Sequence, residues 1–155
     1  MQIIIREGQK EDMPAVLELI RELAVFEKEP EAVIINTEDL VRDGFSETPL
    51  FKTFVALEGK EIIGMALFYP RYSTWKGKTI HLEDLIVREE KRKLGVGKLL
   101  YNKVLQYAKS EGVKRVEWVV LDWNQNAIDF YEKSGATVFD DWKTVQMDAK
   151  ALENY

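Results

Sequence analysis

The chain has no cysteine and a single histidine, His81. The first absence excludes disulfides, thiolate zinc sites and a cysteine nucleophile. The second makes a histidine-rich metal site or a Ser-His-Asp triad improbable, so no metal is expected. Long hydrophobic runs are missing too: IIGMALFY is far too short to cross a bilayer, and the start MQIIIREGQK lacks the charged-then-apolar order of a signal peptide. The expected address is cytoplasmic, with no membrane partner. A net charge of -5 argues against general nucleic-acid binding and mildly favours cationic partners. What remains for chemistry is carboxylates, tyrosines, lysines and the backbone.

What is present describes a globular chain. Its 155 residues, 46% of them hydrophobic, suffice for one domain with a real core, and no repeat, linker or composition shift divides residues 1–155. IIIR reads as a short strand. Asp12 stands where a helix cap belongs, with Pro14 in the first turn and Val16, Ile20 and Leu23 on one face, which predicts a helix from Met13 to Phe26. NTEDLVRDGF predicts a shorter helix ending near Gly44. FKTFVALEGKEIIGMALFYPRY has the outline of a hairpin turning at Glu58-Gly59-Lys60.

Strand Thr79 to Val87, helix Gly97 to Glu111 and strand Lys114 to Leu121 form a βαβ unit, whose two strands should lie parallel with a right-handed crossover. NAIDFYEKSG predicts a helix closed by Gly135, and WKTVQMDA a final strand. The fold class is therefore α/β: one domain with a mixed central sheet flanked by helices.

The turn before the long helix holds Gly95 and Gly97, with Arg88, Lys91, Arg92, Lys93 and Lys98 around it. Missing side chains let backbone N–H groups face a ligand, and a helix N-terminus favours an anion, so phosphate or pyrophosphate is the natural guest. A Walker loop does not fit, because Leu99 follows Lys98 and no glycine stands five residues before Gly97. A dinucleotide fingerprint would need glycine where Leu100 stands. On the turn alone, a solvated basic face at a helix start is an equal reading. Further on, LDWNQNAIDFYEKSGA combines Asn124, Asn126 and Tyr131 with a helix ending on glycine. Here too a plain reading stands beside a functional one: an asparagine cap and a packing tyrosine.

Together the two stretches resemble the GNAT acetyltransferases. Arg92-Lys93-Leu94-Gly95-Val96-Gly97 is similar to that family's acetyl-CoA pyrophosphate loop, with Lys93 where a further glycine is usual. Asn124, Ala127, Phe130, Tyr131 and Gly135 match its closing run. The resemblance implies acetyl-CoA as cosubstrate, held by Leu85, Ile86, Val87, Arg92 to Lys98, Asn124, Ala127, Tyr131 and Lys133. It further implies that Asn124 bonds the pantetheine arm, that Tyr131 is the general acid at the thioester sulfur, and that a splayed strand at Leu85 to Val87 polarises the carbonyl.

RELAVFEKE, DGFSETPLF, YSTWKGKTIHLEDLIV and VLDWNQNAIDFYEKSGA narrow the likeness to the spermidine/spermine acetyltransferase group, nearest its thialysine Nε-acetyltransferase branch. The polyamine branch carries Asp-Pro before the tryptophan where this chain has Ser73-Thr74, so one anionic contact for a polyamine is missing. The expected reaction is direct attack by a primary amine of a small cationic substrate: thialysine, a lysine-like amino acid, a diamine or a polyamine. A protein or peptide acetyltransferase and a non-catalytic acyl-CoA-binding module are the rival readings.

An amine of pKa about 10.4 is protonated at neutral pH, so the site must take a proton away. Glu83 is the expected base, acting directly or through water. Asp84 is its neighbour in a strand, and regular geometry sends the two to opposite faces unless a bulge intervenes. The resemblance implies that Phe26, Glu27, Glu83 and the strand at Glu117, Trp118 and Val119 form the amine site, with Asp84 beside them. Trp75 and Trp142 either line it or pack elsewhere. A homodimer is the group's usual state.

Overall fold

The computed structural model describes residues 2–155. The chain forms two compact units, Met1–Val119 and Val120–Tyr155. In the first, a five-stranded sheet runs in the order β1 (Ile3–Glu7), β2 (Lys52–Glu58), β3 (Glu61–Ser73), β4 (Gly77–Val87) and β5 (Val116–Glu117). The first four strands are antiparallel, and β5 joins β4 in parallel, as a crossover through a helix requires. Three α-helices complete the unit: α1 (Met13–Phe26), α2 (Thr37–Gly44) and α3 (Val96–Ser110).

Strand alternation assigns the two faces. Val55, Met65, Leu67 and Ile86 pack with Met13, Val16, Leu17 and Leu19 of α1 and Leu40 of α2. Their neighbours face α3: Phe54 and Phe68 stack 5.2 Å apart and both meet the Tyr107 ring. Gly64 lets α3 approach, since a Cβ there would lie 3.2 Å from a Leu100 methyl and 3.0 Å from the Ile86 carbonyl.

Asp12 is the residue before α1, but its carboxylate does not cap that helix. It accepts from Arg6 Nη1 at 2.6 Å, Arg6 Nη2 at 3.0 Å and Gln9 N at 2.7 Å, tying β1 to the turn ahead of the helix. The Arg6 guanidinium accordingly holds this carboxyl below the usual range. At α2 the cap is Asn36, paired reciprocally with Asp39.

Two expectations are corrected. The strand predicted over Lys114 to Leu121 is reduced to Val116–Glu117. The strand predicted at WKTVQMDA does not form: the second unit holds only α4 (Gln125–Lys133) and the short α5 (Ala149–Leu152). Strands draw their stability from lateral partners, and β5 has one on a single edge. Among the described residues, no helix is long and apolar enough to cross a membrane.

Candidate active site

The register of β3 on β4 slips by one residue between Leu67 and Phe68. Leu67 pairs with Asp84 and Phe68 with Leu82, which leaves Glu83 as the extra residue of a β-bulge. A regular strand would send Glu83 and Asp84 to opposite faces. The bulge instead lets both line one cavity of about 450 Å³, walled by Ile20, Ile35, Leu40, Phe51 and Leu67 and reached by Tyr69.

Apolar walls make charge expensive there. Burial first, then the charges of Glu83 and Glu27, push the Asp84 carboxyl up to about 7. Burial and Glu83 likewise raise Glu27, at the end of α1. The Tyr69 hydroxyl donates to Glu83 Oε1 at 2.8 Å, and burial together with that bond lifts its pKa to about 12. Like charges crowded against an apolar wall attract a cation, which relieves their repulsion and shares their desolvation. Among the described residues, no three acidic or histidine side chains are grouped to ligate a metal ion.

Glu117, beside His81 in the β4–β5 register, forms salt bridges with Arg71 at 2.5 Å and Arg115 at 3.9 Å. The β4–β5 ladder ends at that pair, so Glu83 to Val87 have no partner strand on that edge while Leu85, Ile86 and Val87 stay paired to β3.

The basic turn lies between Val87 and α3. Arg92 donates Nε to the Val87 carbonyl at 2.9 Å, approaches Glu22 at 3.5 Å, and lies over the Phe26 ring at 5.4 Å. Lys91 is turned away into an ion pair with Glu58 at 2.7 Å. Lys93 and Lys98 are exposed. Gly95 precedes α3 at φ +82° and the helix start has no side-chain cap, so the N–H groups that open α3 are not taken by a side-chain cap. Uncapped N–H groups, a left-handed turn and two exposed lysines fit a diphosphate. Lys93 itself sits at φ +67°, a region that favours glycine, so it gives up backbone ease for a charge.

In the second unit, Asn124 Oδ1 accepts from Ala127 N at 3.3 Å and caps α4. Tyr131 is half-buried, its ring edge-on to Phe130 at 5.6 Å. Lys133 ends α4, and Gly135 follows at φ +105°. Trp142 is exposed.

Of the predicted amine-site residues, the structure therefore groups Glu27, Glu83 and Asp84. Trp75 is exposed at the β3–β4 tip, Trp118 meets the Tyr101 ring edge-on at 5.6 Å, and Val119 is exposed. Tyr69 and the apolar walls escaped the sequence reading. The hairpin register, which pairs Tyr69 with His81, is the signal that finds Tyr69.

Residues 13–136 match the acetyltransferase (GNAT) family. A thialysine N-epsilon-acetyltransferase from Bos taurus is 38% identical, over 97% of this chain and 95% of that protein. A human spermidine/spermine N(1)-acetyltransferase-like protein is 34% identical over 85% of this chain, which spans 20% of its length. In fold, an integron cassette protein from the mobile metagenome of V. cholerae superposes with a TM-score of 0.80, at 21% identity over 99% of this chain and 97% of its own.

Proposed function

The chain belongs to the GNAT acetyltransferase family, and from that premise we propose that it acetylates a primary amine of a small cationic substrate, with acetyl-CoA as donor. The observation that carries this reading is that Glu83 and Asp84 line one apolar-walled cavity, with Glu27 near enough for its charge to act on Asp84. An aliphatic chain suits the walls and an ammonium suits the carboxylates. The bovine relative's name, thialysine acetyltransferase, fits an acceptor of that size and charge. The matched residues 13–136 run across the boundary between the two units, which supports reading 1–155 as one acetyltransferase domain.

Acetyl-CoA supplies the activated acetyl thioester. Lys93, Lys98 and the N–H groups from Leu94 to Lys98 receive its diphosphate, and Arg92, fastened to Val87 and Glu22, braces the turn. Asn124 spends its carbonyl on the helix cap, so its amide N–H is what it offers the pantetheine arm. Glu83 takes the proton from the ammonium, Asp84 and Glu27 hold the cation, and the unladdered edge at Leu85 to Val87 turns toward the acetyl carbonyl. Tyr131 returns a proton to the departing thiolate. The chain works as a homodimer.

Ser73-Thr74 carries no charge near the hairpin tip, which favours short acceptors over spermidine. Thiol release from acetyl-CoA, followed with thialysine, lysine, ornithine, putrescine, spermidine and a lysine-containing peptide, is the test. The expected order puts the amino acids and the diamine first. Preference for the peptide, or silence across the panel, would overturn the reading.

A further inference from the structure

Tyr69, His81 and Glu117 stand in a row across β3, β4 and β5, each paired with the next. The His81 side chain is only 12% exposed, and its two ring nitrogens face two carboxylates. Nε2 lies 3.7 Å from Glu83 Oε1, and Nδ1 lies 3.9 Å from Glu117 Oε1. Arg71 Nη1 approaches Nδ1 at 3.5 Å. A guanidinium only donates, so its approach favours Nδ1 as the acceptor and places the proton of the neutral ring on Nε2, toward Glu83. At 3.7 Å that contact is just beyond hydrogen-bond length. The Glu83 side chain is 51% exposed, which leaves its carboxylate room to approach.

Resting on the reading of Glu83 as the partner of the amine, we infer that His81 is a positioning residue for Glu83. In its neutral form it and Tyr69 direct two donors at Glu83 Oε1, which leaves the other oxygen for the incoming amine. The groups that face the ring are Tyr69 and Arg71 from β3, Glu83 on its own strand, and Glu117 with Arg115 from the β5 side.

A chain with one histidine gives one imidazole signal, and proton NMR can follow it without any turnover. We expect Glu83→Gln to shift the His81 imidazole resonances relative to wild type. No shift would overturn the inference while leaving the acetyltransferase reading intact. In a kinetic arm with the best amine of the panel, His81→Phe should lower kcat/KM about tenfold, the cost of one hydrogen bond to a charged group, and His81→Gln, which keeps an N–H donor, should recover most of that loss. Wild-type kcat/KM in His81→Phe, or no recovery in His81→Gln, overturns the inference alone. Wild-type inactivity with every amine overturns it together with the proposed function, and the NMR arm then reports only whether the two side chains are coupled.

Discussion

Asp84 is held near neutrality by its surroundings, its carboxyl pushed up to about 7 by burial and by Glu83 and Glu27. In the unfolded chain it ionises near the ordinary ~3.9. Between those values the folded state keeps a proton that the unfolded state has released, so this group's contribution to stability falls as pH rises through the window and levels off above it. Asparagine has no proton to lose. Asp84→Asn should therefore be more stable than wild type at pH 8, by about 1–2 kcal/mol after allowance for partial solvent access, and nearly equal to it at pH 4. Thermal melts at the two pH values decide this, and a variant less stable than wild type at pH 8 would mean that the carboxylate is stabilised by contacts rather than strained. The adjacent pair Glu83-Asp84 was legible in the sequence. Its shared cavity was not, because a one-residue slip against β3 depends on a partner strand that local pattern cannot see.

At the scale of elements, the legible features were those with local signals. Helix α1 matches its predicted bounds, Met13 and Phe26, and the hairpin turns at Gly59, whose φ is +63°. The short β5 and the missing final strand depend on lateral pairing, which no periodicity within a strand reports. The basic turn was legible because glycine marks backbone geometry directly. Gly95 takes φ +82°, and an added Cβ there would meet nothing within 4 Å. The cost of Gly95→Ala is thus backbone cost, about 1–2 kcal/mol for an L-residue in the left-handed region. Relieving that cost rotates the N–H groups that open α3. The variant should melt lower, raise the KM for acetyl-CoA several-fold and leave kcat nearly unchanged. Steady-state kinetics with the amine saturating reads all but the melt, and an unchanged KM would remove the turn from the cofactor site.

The whole molecule carries a net charge of -5, with part of its acidity collected around one cavity, which suits the cationic acceptor proposed above. Its apolar surface suggests a further requirement. In the second unit Phe139, Trp142, Val145 and Met147 are 67, 73, 91 and 52% exposed within nine residues of chain. Soluble monomers seldom leave so many large apolar side chains together in water. Trp142 to Ala149 is predicted from sequence as a strand, and without a partner strand it has both the side chains and the backbone groups to join an interface. A second copy is the occupant that the proposed homodimer supplies. Light scattering behind size-exclusion chromatography at micromolar concentration should give twice the chain mass. Val145→Asp buries an unpaired charge in such an interface, at a cost of several kcal/mol, and should return the mass to that of one chain with the α-helical circular dichroism kept. Wild type at a single chain mass would overturn the dimer. Wild type at twice the mass with Val145→Asp unchanged would place the interface elsewhere, and the exposed stretch would then have no role in assembly.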